Sequence, residues 1–126
     1  MRPVNVEAAL VAHLRSALSV QVGTRVPASR PNKFVVLSRA GGEVSNLVQS
    51  SPRMLVECWG ATDAEAWALA SDTWAAVADT DGRALTQGVW VARAEMTEPV
   101  NYPDDATASP RYQFIATLTV NLEETP

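Results

Sequence analysis

The 126 residues, 47% of them hydrophobic and 19% charged, suffice for one domain with its own core and exclude a disordered, purely solvated tail. A net charge of −4 and an isoelectric point near 4.9 argue against a surface built to grip nucleic acid by neutralising phosphates. Cys58 is the only cysteine, so an intrachain disulfide and a thiolate metal cluster are both excluded.

The first residues, MRPVNVEAAL, lack an apolar stretch followed by a small-residue cleavage site, and no run approaches the length of a bilayer span. Synthesis in the cytoplasm and no membrane contact are the expectation. Asn5 is placed to cap a helix running to Leu18, with Val6, Leu10, Leu14 and Ala17 on one face. Glu7 and Arg15 sit at the helix ends where the dipole favours them. His13, beside the apolar face, reads as a surface or hydrogen-bonded core residue and as neither ligand nor base.

Residues 20–26 alternate briefly before Pro27, which ends the segment or sends it to a sheet edge. Residues 27–33 form a loop, residues 34–39 a strand, and Gly41-Gly42 a turn. A short returning strand is expected over 43–49. Residues 54–59 alternate Met54, Val56 and Cys58 against Leu55, Glu57 and Trp59, which suits an interior strand.

The clearest helix follows. Thr62 and Glu65 form a capping box, and Asp63 adds negative charge at the positive end of the dipole. At 3.6 residues per turn, Ala64, Trp67, Ala70, Ser71, Trp74, Val77 and Ala78 share the side expected to face the core. Ala66, Leu69, Thr73 and Ala76 make a second strip, open to solvent, to a loop of the same chain or to a neighbouring subunit. Beyond the break at residues 79–82, a strand over 89–96 directs Trp90, Ala92, Ala94 and Met96 one way. A strand over 112–122 carries Tyr112, Phe114, Ala116, Leu118, Val120 and Leu122 on one face, and the two strands are expected to pair antiparallel. Between them, residues 99–111 form a long loop that is either a recognition arm or disordered. The sum is a single α+β domain, a mostly antiparallel sheet of about four to five strands with two helices packed on one face.

Chemistry is sparse. Asp79, Asp81, Asp104 and Asp105 lie in separate loops without cation-loop spacing. Cys58 has only His13 as a possible base and sits on an interior strand, and Glu57 there suits a salt bridge or an exposed sheet face. The tryptophans Trp59, Trp67, Trp74 and Trp90 read as core. Arg25, Arg30, Lys33 and Arg39 are spread over a loop and two strands and form no groove. Neither catalytic residues nor a cofactor is expected.

Taken in order, VNVEAALVAHLRSAL, VGTRVP, FVVLSRAGG, RMLVECWGATDAEAWALASDTWAAV and PVNYPDDATASPRYQFIATLTVNL resemble the tail terminator (tail completion) proteins of long-tailed bacteriophages of siphophage type, over nearly the whole chain. The resemblance implies a structural virion protein that forms a hexameric ring on the head-proximal end of the tail tube. It would end polymerisation of the tube protein, present a surface to the head-tail connector protein, and let genome DNA pass through its lumen without specific binding. By position, Arg39, Glu43 and Arg53, Leu69, and Tyr102, Asp104, Asp105 and Arg111 are candidate subunit or partner contacts. A connector or stopper protein of the phage neck is the alternative within the same class; a small enzyme using Cys58, His13 and Glu57, or a monomeric ligand-binding module, would be of another.

Overall fold

In the computed structural model, which describes residues 1–124, helix α1 (Val6–Leu18) leads into strand β1 (Gln21–Gly23), followed by β2 (Phe34–Val44), β3 (Gln49–Trp59), helix α2 (Asp63–Ala78), β4 (Arg83–Ala84), a 3-10 turn (Thr86–Gly88), β5 (Trp90–Met96), β6 (Val100–Asn101) and β7 (Arg111–Asn121). The strands form one mixed sheet in the order β1-β2-β3-β7-β5-β4, with β6 also paired to β7. β1 runs parallel to β2 and the other pairings are antiparallel. The sheet thus has more strands than expected. The short edge strand expected within residues 20–26 is β1, of three residues; the unforeseen additions, β4 and β6, hold two residues each, too few for a period-2 pattern to register.

Both helices lie on one face, α1 against β1 and β2, α2 against β3, β7 and β5. Between helices and sheet, Leu37, Val56, Phe114 and Leu118 meet Leu10, Leu14 and Val77 in one continuous buried core. Each helix starts as its sequence dictates. The Asn5 side chain accepts from the Ala8 N–H at 3.1 Å, and the Thr62 hydroxyl accepts from the Glu65 N–H at 3.1 Å while Glu65 accepts from the Ala61 N–H. Ala17, placed on the core face by the sequence pattern, is exposed in the last turn of α1. His13 Nε2 lies 2.9 Å from the Ala76 carbonyl, a hydrogen-bonded position between the two helices.

The buried side of α2 differs from the expected one. Ala66, Leu69, Ala70, Thr73, Ala76 and Val77 are buried, whereas Trp67 is 47% exposed and Ala64 and Ser71 face solvent. An alanine-rich helix has almost no amphipathic contrast, and closeness to the sheet decided its phase. Small residues let the backbones approach, and Thr73 takes a core position because its hydroxyl donates to the Leu69 carbonyl at 2.7 Å. Gly60 is part of this fit: a Cβ there would lie 2.4 Å from the Ala66 nitrogen.

Two more departures come from bulges. No separate strand spans 43–49: β2 and β3 make one long hairpin whose tip, residues 45–48, is fastened by the Asn46 side chain accepting from the Val48 and Gln49 N–H groups. Gly41 and Gly42 sit inside the ladder at a register shift, not at the turn. Gly42 has φ +132°, and a Cβ there would meet the Ser51 carbonyl oxygen at 2.4 Å, so close backbone approach demands the glycine. In β5, a shift between Val91 and Arg93 sets Val91, Ala94 and Met96 opposite Val120, Leu118 and Ala116. Val91 is therefore buried and Trp90 is turned out, 43% exposed. The sequence marks this bulge with no glycine.

Candidate functional site

The alternation that sends Val35 and Leu37 toward the helices sends Phe34 and Val36 to the other side of the sheet, beside Trp59. Phe34 and Trp59 are cross-strand partners, their rings stacked 4.6 Å apart at 14°. Two guanidiniums cover this pair: Arg30 lies 5.5 Å from the Phe34 ring and 5.9 Å from Trp59, and Arg111, from β7, lies 5.3 Å from Trp59. A second small core therefore occupies the outer face of the sheet.

The segment 99–111 is ordered against that core. It contributes β6, and Tyr102 accepts through its carbonyl from Arg111 Nε at 2.9 Å while the Tyr102 ring lies 5.4 Å from the same guanidinium. The Gly60 N–H donates to the Pro110 carbonyl at 3.2 Å. Asp104 pairs with Arg30 at 3.6 Å and accepts from the Ala106 N–H at 3.0 Å. Arg111 Nη1 reaches Glu57 Oε2 at 3.1 Å, with both side chains mostly withdrawn from water. Burial pushes the Glu57 carboxyl above the ordinary carboxylate value; the Arg111 charge opposes this and Asp104 adds to it. Asp104 moves the other way. Desolvation alone would raise it, but hydrogen bonding from the Ala106 N–H, the Arg111 charge and nearby donors hold it below its usual value.

Of the residues singled out from sequence, Tyr102, Asp104 and Arg111 are brought together here, whereas Asp105 is exposed at the outer turn of the arm. Arg39 belongs elsewhere: its guanidinium donates to the Val4 carbonyl at 3.3 Å and lies 3.7 Å from Glu7, holding β2 to the start of α1. Glu43 and Arg53 line a shallow groove of about 210 Å³ with Gly42, Ser51 and Thr117. Leu69 is only 6% exposed. It packs against the chain's own sheet and offers no contact surface, which corrects the expectation for that residue.

Arg30, Phe34, Glu57 and Trp59 were not foreseen as one cluster. The available signal was the apolar character of both faces of β2 and β3, which requires a cover on each side. Cys58 points to the inner core, where burial drives its thiol up to about 12, a hydrogen bond with Thr73 partly offsetting this and the Glu57 charge adding to it. Such a thiol is no nucleophile at neutral pH. Among the described residues, no group of three His, Cys, Asp or Glu side chains is placed to hold a metal ion. What the outer face offers is a small aromatic core covered by two arginines and by the fastened arm.

No protein-family model matches the sequence, and no curated protein matches it. In three dimensions the chain is similar to one in the solved structure "Virion of native gene transfer agent (GTA) particle", with a TM-score of 0.60, 16% sequence identity, and coverage of 92% of this chain and 94% of that one. The likeness is one of fold, and it extends over nearly the full length of both chains.

Proposed function

We propose that this protein is a structural, non-enzymatic virion component that caps the head-proximal end of a phage tail tube, ending tube polymerisation and providing the surface for head-tail joining. The observation that carries the reading is the end-to-end fold likeness to a chain of a virion particle. The order of sequence elements resembling tail terminators supports the finer role, and the acidic balance suits a ring through which DNA must pass without sticking. In this reading copies close into a hexameric ring through heterologous contacts, with the hairpin bearing Glu43 and Arg53 and the arm bearing Tyr102 and Asp105 turned toward neighbouring subunits, the tube protein or the connector.

The test is loss of the protein from assembling particles, read by electron microscopy. A terminator's absence gives overlong or ragged tails. Normal tails beside unjoined or leaking heads would instead identify a stopper of the neck, and normal joined particles would reject both.

A further inference from the structure

Two exposed segments of the chain carry opposite charge. The loop from 24 to 33 carries Arg25, Arg30 and Lys33 and no acidic residue, while the segment from Asp63 to Asp79 carries Asp63, Glu65, Asp72 and Asp79 and no basic one. Arg30 is engaged by Asp104. Arg25 and Lys33 are exposed and make no ion pair among the described residues, and the same is true of Asp72 and Asp79. The loop joins β1 to β2 at one edge of the sheet, whereas α2 lies over β3, β7 and β5.

Asp72 and Asp79, seven residues apart, fall on one side of α2 and flank a groove of about 310 Å³ against α1, floored by Ala17, Leu18, Ala75 and Ala76. An alanine floor between two carboxylates suits an arginine, whose aliphatic stem lies on the apolar surface while the guanidinium bridges the acids. Arg25 is followed by Val26, 45% exposed, and Pro27. The loop's prolines limit the ordering lost on docking.

We infer that copies of this chain associate head to tail, the basic loop of one lying on the outward face of α2 of the next, with Arg25 in the groove between Asp72 and Asp79. Because the two surfaces differ, the contact is heterologous, the kind that closes a ring. It rests on the ring reading above and supplies that ring with a subunit contact distinct from those of the hairpin and the arm.

Sedimentation velocity of the full chain tests it with two paired charge reversals, Arg25→Glu with Lys33→Glu, and Asp72→Lys with Asp79→Lys. All four side chains are solvent-facing, so unchanged melting temperatures confirm intact folding. The wild type is expected to self-associate less as salt rises, and each reversed pair to weaken association about 10-fold or more. An equimolar mixture of the two variants is expected to recover it, since each reversed surface then meets its complement. A wild type that stays monomeric at its highest soluble concentration, association indifferent to both reversals, or failure of the mixture to recover would overturn the inference. So would a loop reversal that abolishes binding of a DNA fragment while leaving association unchanged. Because the chain is tested alone, recovery in the mixture alongside normal tails in particles lacking the protein would retain the contact and reject the capping role.

Discussion

Glu57 and Arg111 show how one ion pair fastens a loop to a sheet. Removing either partner leaves the other withdrawn from water without its counter-charge. Glu57→Ala is expected to cost about 3 kcal/mol, the low end for a broken buried pair because both groups keep some solvent contact, measured by denaturant unfolding. Replacing both, Glu57→Leu with Arg111→Met, should recover much of that loss. The pH dependence has a definite sign. A carboxyl whose folded pKa is raised holds its proton more tightly in the native state, so its contribution is complete below the ordinary value of 4.5 and is lost as pH climbs through the raised value. Glu57→Gln should therefore flatten the stability curve on the alkaline side of 4.5; an unaltered slope there would contradict the account. From its place on an interior strand Glu57 suited either a salt bridge or an exposed sheet face; Arg111 lies 54 positions further on, and only the β3–β7 register brings the two together.

At the scale of elements, helix α2 separates what the sequence makes legible from what it does not. Its Thr62 cap and first-turn charge were readable from residues within a few positions of the helix start, and its end from the break at residues 79–82. Its rotational phase was not, because alanines score alike on every side and the fit to the sheet is a property of distant backbone. Leu69→Ala is expected to cost about 2–4 kcal/mol as a core truncation, while Trp67→Ala, which loses chiefly its edge contact with Tyr112, should cost about 1 kcal/mol. Reversal of that order in thermal or chemical unfolding would restore the tryptophan-inward phase. Thr62→Ala should lose about 1 kcal/mol through the cap. In the hairpin, Gly42→Ala forces a methyl into the Ser51 carbonyl and is expected to destabilise by about 2–3 kcal/mol.

For the whole molecule, the long strands β3 and β7 and the two helices were visible as period and caps, and they fix the α+β class. The two-residue strands β4 and β6, the two bulges and the docking of the 99–111 arm were not, since each depends on pairing partners rather than on local pattern. The same division applies to function. The likeness to a virion chain is one of fold over nearly the full length of both chains, while the role and the contact between copies proposed above depend on partners that a single chain does not display. Capping itself is tested most directly on isolated tails from particles lacking the protein, supplied with tube subunits in the presence or absence of the purified chain. The account predicts that uncapped tails lengthen from their head-proximal ends and that adding the chain stops this growth; tubes that lengthen equally with and without it would contradict the account.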